Sequence, residues 1–183
     1  KIFMTHCNLG CIFCQNYEIS HLSEGVSVGA VDLAQTMLSL QRRGCHNINF
    51  VTPTHMVPQI LEALPEAIEG GLRVPLVYNC GGYEEVETLR LLAGIFDIYM
   101  PDFKFWDGKE AARFCSAPDY REKACAAVQE MHEQVGDLVL DQEGIAQSGL
   151  LIRHLVMPDG LAGTREIMRF LANEVSRETY VNV

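Results

Sequence analysis

Cys7, Cys11 and Cys14 stand in the run Thr5-His6-Cys7-Asn8-Leu9-Gly10-Cys11-Ile12-Phe13-Cys14, a C-x3-C-x2-C spacing in which one short loop supplies three thiolates. A closed electron-transfer cube takes four cysteine ligands. A loop with only three leaves one iron of a 4Fe–4S cluster open to oxygen or nitrogen atoms of a small molecule. The spacing therefore points to chemistry on a bound molecule rather than to electron carriage alone. Zinc is the competing reading. Structural zinc takes four Cys or His ligands, commonly from paired cysteines, so this triplet would need His6 or a distant cysteine to complete it.

The elements that must hold such a loop follow from hydrophobic periodicity. Short apolar runs alternate with amphipathic stretches, the rhythm of β-α units on a parallel sheet. Strands are expected at Ile2–Met4, Asn47–Thr52, Val74–Asn79, Ile95–Met100, Leu150–Val156 and Tyr180–Val183. Helices are expected at about Val31–Arg43, His55–Ile68, Glu84–Leu92, Tyr120–Val135 and Arg165–Ser176. Thr54 is a candidate N-cap, Pro65 should kink or end the second helix, and Asp119 with Glu122 has capping-box spacing. The segment Asp137–Gly149, rich in Asp and Gly, reads as a loop or small hairpin.

Six strands in 183 residues are too few for a closed eight-fold barrel, which takes about 250. A parallel (β/α)6 partial TIM barrel fits, and a doubly wound open sheet remains the alternative. Both put ligands at the C-terminal strand ends, where the cysteine loop lies. The chain opens and closes in strand-like segments, Lys1–Met4 and Tyr180–Val183. The expectation is thus one domain over residues 1–183, truncated at both ends and cut from a longer chain.

Composition narrows the class. At 48% hydrophobic the chain can bury a real core. No apolar run reaches the ~18 residues of a membrane span. A net charge of −10 without a basic run argues against nucleic acid as a ligand. Seven cysteines, an odd number with three clustered, argue against a secreted disulfide framework and for a reducing, cytoplasmic setting.

The other strand ends carry further polar residues. Thr52-Pro53-Thr54-His55 follows the second strand; Thr54 serves as a cap or a ligand contact, and His55 faces cavity or solvent. Asn79-Cys80-Gly81-Gly82-Tyr83 follows the third, where paired glycines allow either close approach to a ligand or a tight turn. Asp102 and Lys104, two apart on the fourth, point the same way and could hold a zwitterion or simply pair with each other. On the fifth, Arg153 and His154 are adjacent, so only one faces inward. Arg153 is the better choice for forking to a carboxylate, leaving His154 as a satisfied core histidine. Asn182 closes the sixth strand.

The cysteine spacing, with Phe13 before the last cysteine, resembles the signature of the radical S-adenosylmethionine (SAM) superfamily. Cys7-Asn8-Leu9, Cys11-x-Phe13-Cys14-Gln15-Asn16-Tyr17, the Thr52–His55 turn, Asn79-x-Gly81-Gly82-Tyr83, Pro101–Lys104 and Ile152–Val156 with Pro158 narrow this further. Together they are similar to a group of iron–sulfur proteins related to pyruvate formate-lyase-activating enzyme. The resemblance implies an enzyme in which the amino and carboxylate groups of SAM chelate the open iron. Reductive cleavage then yields methionine and a 5′-deoxyadenosyl radical that takes hydrogen from a substrate.

It further implies Phe13 near the adenine, with Thr52, Asn79, Asp102, Lys104, Arg153 and Asn182 as SAM contacts. Thr52 stands where many relatives have a Gly-Gly-Glu turn, which this chain lacks. A monovalent cation is implied at Asn79, Cys80, the Met100 carbonyl and Asp102, weakened because Asn79 replaces an aspartate of those enzymes. His6 and Gly10 also depart, where relatives often carry Gly and Arg. The implied partners are an electron donor such as flavodoxin or ferredoxin and a protein substrate with a reactive glycine, small-molecule chemistry being the alternative. The competing class is a non-catalytic iron–sulfur or zinc module for redox sensing or electron transfer. It would recruit a fourth ligand from the scattered Cys45, Cys80, Cys115 and Cys125.

Overall fold

The computed structural model of the protein describes residues 1–183. Its strands are β1 (Ile2–Phe3), β2 (Ile48–Val51), β3 (Leu76–Cys80), β4 (Ile98–Pro101), β5 (Val139–Leu140), β6 (Ala146–Arg153) and β7 (Tyr180–Asn182). All belong to one sheet, in the order β1-β2-β3-β4-β6, with β5 and β7 also on β6. Six are parallel, and β5 alone is antiparallel, making a hairpin with the start of β6. The parallel strands lie side by side in chain order. A doubly wound sheet would reverse at a switch point, so the partial (β/α)6 barrel is the observed solution. β1 and β7 do not pair, and the barrel stays open between them.

The helices are α1 (Tyr17–Ser20), α2 (Ala30–Arg42), α3 (Val57–Glu69), α4 (Val86–Leu91), α5 (Gly108–Cys115), α6 (Tyr120–Val135) and α7 (Thr164–Phe170). Strand residues of one parity, including Ile48, Phe50, Leu76, Tyr78, Tyr99, Leu150 and Ile152, join one core with the buried faces of the helices. Alternation sends the other parity inward: Asn49, Asn79, Asp102 and Arg153. The polar side chains that would be costly against helices thus collect on the concave face. No helix is long and apolar enough to cross a membrane.

Several local expectations are corrected. α3 runs straight through Pro65 to Glu69. A proline there costs about 3 kcal/mol, but α3 buries Val57, Ile60, Ala63, Leu64 and Ala67, and one large apolar side chain alone returns about 2 kcal/mol. Thr54 caps nothing; it opens a short 3-10 turn, Thr54–Met56, and its hydroxyl donates to Glu84 at 2.7 Å. Asp119 makes no cap bond either, because its carboxylate accepts the Tyr83 hydroxyl at 2.5 Å.

The fifth parallel strand starts earlier and ends earlier than expected. Pairing with β5 extends it back to Ala146, and its match to the end of β4 stops at the Asp102–Arg153 bridge. α5 was not expected, although Asp107 and Glu110 have capping spacing and Asp107 accepts the Lys109 N–H at 2.7 Å.

Candidate active site

At the C-terminal end of the sheet, a cavity of about 600 Å³ opens toward the cysteine loop, within the range of roughly 300–1,000 Å³ typical of small-molecule sites. Cys7, Cys11, Cys14 and Phe13 form one wall. Thr52, Asn79, Cys80, Asp102, Lys104, Arg153 and Asn182 form the strand-end wall. Of the cluster, SAM and cation residues that the resemblance implies, only Met100 is not part of this lining; Thr54 and His55 also lie outside it.

The cysteine loop is fastened from several sides. Gly10 N–H donates to the Cys115 carbonyl at 2.9 Å and Ile12 N–H to that of Phe114 at 3.0 Å, tying the loop to the end of α5. Asn8 Nδ2 donates to the Tyr83 carbonyl at 2.6 Å. Gly10 packs closely on the end of α5, since a Cβ there would lie 2.9 Å from Ser116 Oγ and the serine would have to shift. His6 has φ 66°, a left-handed conformation that a glycine adopts without strain.

The three thiols face different partners. Leu9 N–H donates to Cys7 Sγ at 3.4 Å, Cys11 Sγ lies 3.2 Å from Cys115 Sγ, and Cys14 Sγ lies 3.2 Å from Ser20 Oγ. Burial pushes the Cys7 thiol up, against the pull of the Leu9 N–H and Lys104. Cys11 moves the other way, to about 7, because its hydrogen bond with Cys115 outweighs burial and Lys104 adds to the effect. Cys115 correspondingly keeps its proton, its pKa raised first by the bond to Cys11 and then by burial.

No three His, Cys, Asp or Glu side chains converge tightly enough to share one metal ion. Three cysteines from one short loop on one cavity wall give a donor set that suits an iron–sulfur cube with one iron left to a ligand.

Opposite the loop, two cations share one carboxylate. Asp102 Oδ2 accepts from Lys104 Nζ at 2.5 Å and Oδ1 accepts from Arg153 Nη2 at 2.6 Å. The expected Asp102–Lys104 pair therefore exists, inside the cavity rather than on the surface. Burial alone would lower the Lys104 pKa, but Asp102 and then Cys11 more than reverse it, and the ammonium is held above its ordinary value. Two positive charges against one negative leave a net positive corner. Within it, Arg153 Nε is buried with no hydrogen-bond partner. An orphaned guanidinium donor beside an excess charge suits a ligand carboxylate.

Other groups are already engaged. Asn79 Nδ2 donates to Asn49 Oδ1 at 3.2 Å, and the Cys80 carbonyl accepts Asp102 N–H at 3.0 Å. The Cys80 thiol follows Tyr78 to the helix side, close to Glu84. His154 is a satisfied core histidine. Its Nδ1–H donates to the Phe103 carbonyl at 2.7 Å, so Nε2 accepts from the Thr164 hydroxyl at 2.8 Å. His55 is exposed, bonded through Nε2 to the Thr5 carbonyl at 2.6 Å. Gly81-Gly82 makes a tight turn against protein: a Cβ on Gly82, whose φ is +76°, would stand 2.1 Å from the Asp102 carbonyl oxygen.

Thr52 is strained. Its φ of 60° is unusual for any β-branched residue, and it precedes Pro53. The turn thus keeps a glycine-like path with a threonine in it. Sequence reasoning missed two supports. Tyr120, fully buried, has its hydroxyl between the Gly81 and Asp102 carbonyls at 2.8 and 2.9 Å and accepts the Lys104 N–H at 2.9 Å. Cys115, treated as one of four scattered cysteines, touches Cys11.

No family model matches the chain. An uncharacterized protein of Methanocaldococcus jannaschii is 30% identical over 192 residues; the match takes in 100% of this chain and 51% of that protein. The chain spans about half the length of the curated relative it matches. Among solved structures, SuiB of Streptococcus suis matches with a TM-score of 0.63 at 15% identity, over 93% of this chain and 36% of that one. Native anSMEcpe with bound AdoMet matches with a TM-score of 0.65 at 8% identity, over 98% of this chain and 50% of that one. At such identities what is shared is the fold, the open parallel partial barrel.

Proposed function

We propose that the protein is a radical SAM enzyme, with residues 1–183 as its core domain. The observation that carries this is one cavity with three cysteines on one wall and, on the other, Lys104 and an orphaned Arg153 Nε. The fold it shares with a structure holding AdoMet supports the same ligand here. Cys7, Cys11 and Cys14 hold a 4Fe–4S cluster. When bound, the cluster supplies the electron that splits SAM into methionine and a 5′-deoxyadenosyl radical able to take hydrogen from a substrate.

The chain's own residues bind and orient. Lys104 and Arg153 receive the SAM carboxylate, Asp102 keeps both cations aimed into the cavity, and Thr52 offers its carbonyl or hydroxyl to the amino group. Phe13 flanks the adenine, while Asn79 and Asn182 complete the strand-end wall. A monovalent cation at Asn79, Cys80, the Met100 carbonyl and Asp102 would have to share Asp102 with Lys104 and Arg153, which contact both of its oxygens. The finer kinship is with the iron–sulfur proteins related to pyruvate formate-lyase-activating enzyme. With it come a flavodoxin- or ferredoxin-type donor and a glycine of a partner enzyme as the hydrogen source.

The test is anaerobic reconstitution, reduction and SAM addition. Wild-type protein releases 5′-deoxyadenosine and Cys11→Ala, unable to assemble the cluster, releases none. Wild-type protein that loads iron yet leaves SAM intact defeats the enzyme reading.

A further inference from the structure

Cys11 and Cys115, 104 residues apart in the chain, meet with their sulfurs 3.2 Å apart in the interior. Cys11 is 6% exposed and Cys115 is fully covered. The meeting is built into the backbone. The residues on both sides of Cys11, Gly10 and Ile12, donate their N–H groups to the carbonyls of Cys115 and Phe114. Ser116, left-handed at φ 59°, ends α5 there and presses its hydroxyl against Gly10. Main chains bridged on both flanks hold the two residues within disulfide reach, and the sulfurs need only about 1 Å of side-chain motion to reach the bonded distance near 2.05 Å. Neither Cys7 nor Cys14 has a second thiol this close: their sulfurs face Asn8 and Ser20.

We propose that Cys115 is a resolving thiol for Cys11, and that the two close into a reversible disulfide when the protein is oxidised without its cluster. Cys11 lines the cavity while Cys115 lies behind it, so an oxidant such as hydrogen peroxide meets Cys11 first. The Cys11 thiolate attacks the peroxide O–O bond, giving a sulfenic acid and, after protonation, water. The Cys115 sulfur then displaces a second water. In balance, two thiols and one peroxide become one disulfide and two waters. Cys11 in a disulfide cannot bind iron, so disulfide and cluster exclude each other. The latch spares Cys11 from the irreversible sulfinic acid. Its effect on cluster loading rests on the proposed role of Cys11 as a ligand; the disulfide itself does not.

The test treats cluster-free full-length protein with equimolar hydrogen peroxide, alkylates it, and maps cysteine-linked peptides by mass spectrometry. A parallel sample goes to iron–sulfide reconstitution before and after dithiothreitol. The expected product is the Cys11–Cys115 linked peptide, with iron loading down about tenfold and restored by the reductant. Cys115→Ser, loaded normally if never oxidised and treated with at least two equivalents of hydrogen peroxide beside wild type given the same dose, should gain a sulfinic acid on Cys11 and not recover. A Cys7–Cys14 or Cys7–Cys11 link, or Cys115→Ser recovering as fully as wild type, overturns the proposal. Never-oxidised wild-type protein that fails to load iron counts against the cluster, while the linked peptide still decides the disulfide.

Discussion

Arg153, a cavity-lining residue, reaches Asp102 across neighbouring strand ends, Nη2 to Oδ1 at 2.6 Å, and this contact leaves its buried Nε without a partner. The carboxylate sets the guanidinium's direction, and the unpaired donor is what remains for a ligand. Lys104 on the other oxygen, at 2.5 Å, keeps the corner positive even after Asp102 is counted.

Arg153→Lys keeps the charge but deletes Nε. A hydrogen bond to a charged group contributes about 1.5–3 kcal/mol, so SAM binding to the reconstituted protein should weaken ten- to a hundredfold in calorimetry. Iron content should not change. Equal affinity in the variant would remove Arg153 from the site.

Thr52→Gly should stabilise the protein. Relief of a left-handed β-branched residue is worth about 1–3 kcal/mol, and glycine's extra freedom in the unfolded chain takes back roughly 0.5–1 kcal/mol. A urea midpoint displaced upward by a net gain of about 1 kcal/mol is the expected outcome; a lower midpoint would mean that the Thr52 side chain does more in packing than its backbone costs.

Gly82→Ala tests the joint between the third and fourth strand ends. Its Cβ would fall 2.1 Å from the Asp102 carbonyl oxygen at φ +76°, and the obstacle is backbone that cannot swing aside. A loss on the order of 3 kcal/mol in chemical denaturation is expected, with SAM binding falling as Asp102 moves. Unchanged stability would place the turn elsewhere.

Glu84 makes stability depend on pH. Burial lifts its carboxyl to about 7 despite hydrogen bonds from Thr54 at 2.7 Å and Tyr78 at 3.0 Å. The folded state therefore holds the proton more tightly than the unfolded chain, whose value is 4.5. This contribution is complete below pH 4.5 and is lost as pH rises through about 7, a change on the order of 3 kcal/mol at most. Denaturation between pH 5 and 8 should show that decline in wild-type protein and a flatter profile in Glu84→Gln. Parallel profiles would refute it.

What was legible in the sequence is what side-chain parity encodes. A two-residue repeat puts Asp102 and Lys104 on one side of a strand end, and it sends Arg153 inward once His154 is assigned to the core. The cysteine loop was legible because its three cysteines lie within eight consecutive residues, Cys7 to Cys14. Cys115 and Tyr120 were not, because their roles depend on how α5 and α6 pack, and no local pattern records a contact made 104 residues away. Pro65 misled for the same reason. Its backbone cost is local, but the burial that offsets it is tertiary. The Asp119 capping spacing was real as a pattern and lost to a better partner in Tyr83.

The central claim is an open iron at Cys7, Cys11 and Cys14, and the electron paramagnetic resonance spectrum of the reduced full-length protein tests it most directly. Adding saturating SAM should change the signal of the reduced cluster, because the ligand binds the iron that no cysteine holds. A spectrum identical with and without SAM, in protein carrying a full cluster, would mean that the site is closed and that the protein is not an enzyme of this kind.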